Sequence, residues 1–201
     1  MNYNGPKVKL SRKIGINMTP KARKFAGRKP YAPGQHGPNK RRGKMSDYGK
    51  QLLEKQRLKL QYNLSEKHMG LYYAKASKLV GNTGDLLVQL MESRLDALVM
   101  RANFARTIYA ARQYVGHGHV LVNGKKVTIA SYQVKPNDVI QIKEKSRNVD
   151  QIQEALRGGM QPPPYLEINK SDFSAKFLYV PEREEVPVNC EIPLVVEYYS
   201  R

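Results

Sequence analysis

Thirteen lysines and arginines fall within the first 44 residues, and no aspartate or glutamate accompanies them. Such a one-sign segment repels itself and stays extended until an anion neutralises it. The asymmetry runs down the whole chain. Residues 1–60 carry 17 basic and 2 acidic side chains, residues 61–140 carry 10 and 5, and residues 141–201 carry 8 and 10. A folded surface normally intersperses both signs. The net charge of +18 over 201 residues therefore points to a polyanionic partner, met mainly by the N-terminal third. Residues 27–44, GRKPYAPGQHGPNKRRGK, hold four glycines, three prolines and six cations, and no Val, Ile, Leu, Met or Phe. They cannot bury enough apolar area to offset their ordering entropy. The expectation is a basic extended arm over residues 1–45, ordered by its partner, with Tyr31 and His36 placed to stack on bases.

The remainder has the means to fold. A hydrophobic content of 40% excludes a wholly disordered chain and allows one or two modest domains. No apolar run approaches the roughly twenty residues of a membrane span, and the same absence leaves no apolar core for a secretory leader. The lone cysteine, Cys190, excludes an internal disulfide and a multi-cysteine zinc site. It has no nearby histidine or basic cluster to activate it and reads as a passive thiol.

Residues 46–101 are helical in pattern. Ser46 caps a helix to about Tyr62 that exposes Lys50, Lys55, Arg57 and Lys59. Ser65 opens a second helix to about Leu79, and Gly81-Asn82 breaks it. Thr83 caps a third, with Asp85 in its first turn and Leu86, Leu87, Leu90 and Met91 as its buried stripe. Leu95, Leu98 and Val99 continue into a short helix. Over residues 106–117, Ile108, Ala111 and Val115 share one face. Arg106, Tyr109, Gln113 and His117 share the opposite face, with Arg112 on the flank, a surface suited to phosphates and bases. Asn123-Gly124 between apolar runs predicts a type I′ hairpin with Val122 facing Lys125. Pro136-Asn137-Asp138 turns into a strand over residues 139–143. Residues 149–157 read as a helix stopped at Gly158-Gly159. Residues 165–169 and 174–180 read as strands, and the end, IPLVVEYYSR, as a helix in preference to a strand. Glu182, Glu184 and Glu185 form an acidic patch that faces either a basic protein or solvent.

The run from Arg94 to Arg147, RLDALVMRANFARTIYAARQYVGHGHVLVNGKKVTIASYQVKPNDVIQIKEKSR, closely resembles the S-four RNA-binding domain. PYAPGQHGPNKRR, followed by SDYGKQLLEKQRLK, resembles the N-terminal part of the bacterial-type small-subunit ribosomal protein S-four family, and VVEYYSR resembles its ending. The resemblance covers nearly the whole chain. It implies an α+β protein with a basic extended N-terminal arm over 1–45 and a small helical domain over 46–93, joined by 183–201. The S-four domain, helices packed on a small, mostly antiparallel sheet, is inserted over 94–182. It implies a structural constituent of the small subunit that binds the 5′ domain of 16S-type ribosomal RNA and nucleates assembly. It also implies contact with ribosomal protein S-five that bears on translational fidelity, a place near the path by which messenger RNA enters, and repression of their own messenger RNA by some members. The implied location is the cytoplasmic ribosome, or stroma or matrix for an organelle-encoded copy. Neither a membrane nor a small-molecule substrate is implied.

Carried onto this chain, the implied RNA contacts are Arg28, Lys29, Tyr31, Gln35, His36, Arg41 and Arg42 in the arm. Tyr48, Lys50, Lys55 and Arg57 follow in the helical domain. Arg106, Arg112, Gln113, His117, His119, Asn123 and Lys125 follow in the inserted domain. The candidate protein interface, read from charge and not from the resemblance, is the patch Glu182, Glu184 and Glu185. Some members hold zinc in the arm through a cysteine cluster, but residues 1–45 here contain no cysteine and only His36. No metal and no cofactor are expected. His117 and His119 lack a third ligand in the sequence and read as RNA contacts. A second reading is an RNA-modifying enzyme of the pseudouridine synthase type, docking through the same domain. That enzyme needs a large catalytic domain with a positioned aspartate, and no nucleophile–base pair or phosphate loop is visible.

Overall fold

A computed structural model describes residues 3, 5–39, 45–158 and 161–201. The chain divides into two compact units, Met1–Lys78 with Val188–Arg201, and Leu79–Pro187. By compactness the division falls at 78/79, so the third predicted helix packs with the second unit.

The first unit is helical: α1 (Lys7–Ile14), α2 (Pro20–Arg28), α3 (Asp47–Gln61), α4 (Glu66–Ala76) and, from the chain's end, α9 (Ile192–Tyr199). Ser46 and Ser65 cap α3 and α4 as expected, accepting from the amides of Gly49 and His68 at 3.2 and 3.3 Å. Buried Leu58, Tyr62, Met69, Tyr72, Ile192 and Val195 form its core. The extended arm is a correction, because its described part contains two helices. Thr19 caps α2 through the Ala22 amide, with Pro20 at the first helical position. Gly15, at φ 75°, ends α1. Ile14 and Ala22 supply the buried anchors, and Arg57 of α3 donates to the Ile14 carbonyl at 2.9 Å. The segment after α2 is held by contacts within the first unit. Arg12 donates to the Tyr31 carbonyl at 3.1 Å and lays its guanidinium 5.0 Å from the Tyr31 ring centroid. Gly37 is required in this turn, since a Cβ there would lie 1.9 Å from the Ala32 carbonyl oxygen.

The second unit contains α5 (Thr83–Glu92), α6 (Leu95–Arg101), α7 (Ile108–Gly116), β1 (Val120–Val122), β2 (Lys125–Lys126), β3 (Val139–Ile142), α8 (Asp150–Arg157), β4 (Leu166–Asn169) and β5 (Ser174–Phe177). The strands form one antiparallel sheet in the order β2-β1-β3-β5-β4. Alternation puts Val120, Val122, Ile140, Ile142, Ala175 and Phe177 in the core, which the helices close. Asn123 and Gly124 take φ of 49° and 77°, and Val122 pairs with Lys125, as the type I′ reading requires. Two local readings change. Asn82 caps α5, through the Gly84 amide at 2.9 Å, in place of Thr83. Val88 is fully buried, while Leu86 and Leu90 are only half-buried.

Candidate nucleic-acid interface

Helix α7 presents the site most clearly. Thr107 caps it by accepting from the Ala110 amide at 3.2 Å. Ile108, Ala111, Tyr114 and Val115 anchor its inner face. The outer face then exposes Arg106, Gln113 and His117, with Tyr109 half-buried among them. Arg106 meets Glu154 of α8 at 2.9 Å, but both side chains are about half-exposed, 47% and 62%. An ion pair of that kind contributes about 0–1 kcal/mol and yields readily to a phosphate. Past the helix, His119 shares a 2.8 Å hydrogen bond between its Nδ1 and Ser146 Oγ, and Lys125 and Lys126 stand exposed beside the hairpin turn.

Beneath this face lies a buried ionic pair that the sequence reading missed. Arg94 grips the Asp96 carboxylate with two nitrogens, at 2.9 and 2.6 Å, and both residues are inaccessible to solvent. Burial pushes the Asp96 carboxyl above its ordinary value, against the pull of Arg94, of Arg112 and of the Ala97 amide. Arg112 approaches Asp96 to 3.6 Å, which ties the flank of α7 to α6. A second pair, Glu92 with Arg101 at 2.6 Å, receives the Tyr165 hydroxyl at 2.7 Å. The only signal of the Arg94–Asp96 pair in the sequence is its i, i+2 spacing, which periodicity does not register.

The other expected contacts divide sharply. Arg28, Lys29, Tyr31, Gln35 and His36 are exposed. Arg41 and Arg42 lie outside the described residues. Tyr48 is half-exposed, 5.9 Å from the Tyr198 ring, and Lys50 pairs with Asp47 at 2.9 Å in solvent. Lys55 is a correction: it is 4% exposed, not a surface cation. Its ammonium sits 2.7 Å from Glu66 and 4.2 Å from the Tyr198 ring centroid. Burial alone would lower its pKa, but the Glu66 carboxylate and the Tyr198 hydroxyl outweigh it and hold the ammonium above the ordinary lysine value. Arg57 is half-buried, bound to the Ile14 carbonyl and to Glu54, so its expected exposure also fails. Asn123 engages both side-chain atoms in its turn, Nδ2 donating to Asp138 at 2.8 Å and Oδ1 accepting from Val139 at 2.9 Å. In the acidic patch Glu182 and Glu184 are exposed. Glu185 instead accepts from the Tyr179 hydroxyl at 2.7 Å and from the Glu182 amide at 3.0 Å. Among the described residues no three His, Cys, Asp or Glu side chains are grouped to hold a metal ion. No helix there is long and apolar enough to cross a membrane.

Comparison with known proteins divides the chain at 92/93, beside the 93/94 boundary expected from the sequence between the helical and S-four domains. Residues 2–92 match the family model described as ribosomal protein S4/S9 N-terminal domain, and residues 93–140 match the S4 domain. The curated "Small ribosomal subunit protein uS4" of Streptomyces griseus is 48% identical, over 100% of this chain and 99% of that protein. Its namesake in Thermobifida fusca is 45% identical over the full length of both. That of Chlorobium limicola is 44% identical over 99% of this chain and 98% of its own.

Proposed function

Given that the chain belongs to the S-four family of small-subunit ribosomal proteins, non-enzymatic constituents of the ribosome, we propose that it binds the 5′ domain of 16S-type ribosomal RNA and nucleates assembly there. The family assignment decides against the RNA-modifying enzyme. The observation that carries the RNA reading is the outer face of α7. A capped, core-anchored helix there holds Arg106, Gln113 and His117 at the surface, with Lys125 and Lys126 beyond its end. Rigid cations place phosphates, and an amide and imidazole read base edges. The exposed Arg28, Lys29, Tyr31, Gln35 and His36 add a second contact from the first unit. Lys55 drops out of this set, and Asn123 serves it only by shaping the turn. Glu182 and Glu184, which RNA would repel, are the surface we assign to a basic protein neighbour, ribosomal protein S-five, and through it to decoding fidelity. A place near entering messenger RNA rests on the family alone.

The test is a binding titration against the 5′-domain RNA across salt, with an unrelated structured RNA as competitor. Each phosphate neutralised contributes a slope of roughly −0.7 to −0.9 in log K against log salt. A steep slope with a preference of about a hundredfold or more is expected, within the range of specific nucleic-acid recognition. A steep slope without preference would refute the 5′-domain assignment.

A further inference from the structure

A second ligand site lies apart from the outer face of α7. Gln153, Leu156 and Arg157 of α8, with Lys170 and Phe173 of the β4–β5 hairpin, line a groove of about 350 Å³. That is at the lower end of the roughly 300–1,000 Å³ of small-ligand sites. The spacing 153, 156 and 157 puts the three α8 residues on one helical face. Leu156 is buried and forms an apolar floor, while Arg157 and Lys170 are exposed at the rim.

The hairpin tip is built rather than loose. Asn169 Oδ1 accepts from both the amide and the hydroxyl of Ser171, at 3.1 and 2.6 Å. The Phe173 carbonyl accepts from the Ile142 amide of β3 at 3.0 Å. Phe173 itself sits at φ 52°, a left-handed conformation that strains a bulky side chain. Glycine would remove that strain; the phenylalanine keeps a ring on the groove. Arg147 brings its guanidinium 5.7 Å from the ring centroid, so two flat, stackable groups stand together.

Charge favours an anion. Arg157 and Lys170 line the groove, Arg147 lies against the Phe173 ring, and neither Arg157 nor Lys170 has an ion pair among the described residues. Two nearby carboxylates are engaged, Glu154 with Arg106 at 2.9 Å and Asp172 with the Asn169 side-chain amide at 2.6 Å. An apolar floor, an aromatic ring and rim cations match one unstacked nucleotide, with its base on the ring and its phosphate at the rim.

We propose that this groove binds a single unstacked nucleotide of a single-stranded RNA segment. Phe173 and Leu156 receive the base, Arg157 and Lys170 hold the phosphate, and Gln153 contacts the base edge. Gln153 donates to the Arg147 carbonyl at 3.1 Å, which leaves its Oε1 to accept from a base. The site is additional to α7 and rests on the RNA-binding reading only for the class of its ligand.

The experiment is an amide-resolved NMR titration of the full chain with a short single-stranded oligouridylate. An abasic oligomer of equal charge and an acidic peptide of equal charge run beside it. Saturable shifts centred on residues 153–157 and 170–173 are expected. The abasic oligomer is expected to bind about tenfold more weakly or worse, as loss of one base–aromatic stack implies. Arg157→Ala with Lys170→Ala, both surface changes, should weaken the oligouridylate about tenfold while leaving 5′-domain RNA affinity within about threefold. Phe173→Trp adds the only tryptophan of the chain, and its emission should be quenched by the oligouridylate and not by the abasic oligomer. Equal binding of the abasic oligomer, shifts confined to α7, or equal shifts from the peptide would each overturn the nucleotide site. None of these outcomes touches the 5′-domain reading, which fails or stands on its own titration.

Discussion

Helix α3 carries Lys50, Lys55, Arg57 and Lys59, and helix α7 with its flanks carries Arg106, Arg112 and His117; the two use their cations in opposite ways. On α3 three of the four cations are tied into the fold, Lys55 and Lys59 by Glu66 and Arg57 by Glu54 with the Ile14 carbonyl, and only Lys50 pairs in solvent, with Asp47. On α7 only Arg112 leans inward, to Asp96, while Arg106, in an exposed pair with Glu154, and His117 stay at the surface. Net charge thus overstates binding charge. A buried lysine joined to a tyrosine–glutamate cluster holds the fold, and one at a rim holds a ligand.

The largest expected effect lies at Asp96, the buried anion that Arg94 and Arg112 approach. Asp96→Ala leaves Arg94 buried and without its carboxylate, and loss of one partner of a buried pair costs about 3–5 kcal/mol. Urea unfolding of the full chain should show that loss. A change under about 1 kcal/mol would mean that water or another acceptor replaces the carboxylate. Lys55→Ala should come next, at about 2 kcal/mol, because Glu66 is half-exposed and recovers part of its hydration. Lys50→Ala, on the same helix but in solvent, should leave the unfolding midpoint unchanged within error. Equal costs for the two lysines would erase the distinction.

Much of this was legible in the residues, and the failures share a cause. The caps Ser46 and Ser65, the Asn123-Gly124 turn and the two faces of α7 are local features, set by residues within about one helical turn or one hairpin. The misread features depend on distant partners. Gln51, Glu54, Lys55 and Leu58 share the buried face of α3 at helical spacing, yet three of the four are polar, so apolar periodicity marks that face as solvent. Their partners lie far along the chain: Gln51 meets Glu197 at 2.9 Å, and Glu54 accepts from the Glu191 amide at 3.0 Å. The helices α1 and α2 were hidden because uninterrupted positive charge outweighed the stop at Gly15 and the Thr19-Pro20 cap. One buried isoleucine and one arginine–carbonyl bond to α3 help to hold them, and neither is visible without α3 in place.

Charge reversal on α7 sharpens the other half of the comparison. Arg106→Glu with His117→Glu should leave unfolding stability within about 1 kcal/mol, since both positions are exposed. The same change should weaken 5′-domain RNA binding by about 2 kcal/mol, the scale of one or two charge-assisted hydrogen bonds. Unchanged affinity in the folded double variant would remove α7 from the interface.

The smallest expected effect is the pH response of the α3 cluster. Lys55, Lys59 and Tyr199 hold the Glu66 carboxyl below its ordinary value despite partial burial. A depressed acid contributes stability that is complete above its unfolded value, about 4.3, and is lost as pH falls through the folded one. Lys55 is held above the ordinary lysine value, and burial raises the Tyr199 hydroxyl. Their contributions are complete below the unfolded values, about 10, and are lost as pH rises beyond them. Hydrogen exchange across residues 47–61 should therefore be protected evenly from about pH 5 to 9 once the intrinsic exchange rate is divided out, and protection should fall outside that window on both sides. Glu66→Gln should flatten the acid limb and leave the tyrosine part of the alkaline one. An acid limb that survives the substitution would mean that other carboxylates, and not the pair with Lys55, set the acid stability of the first unit.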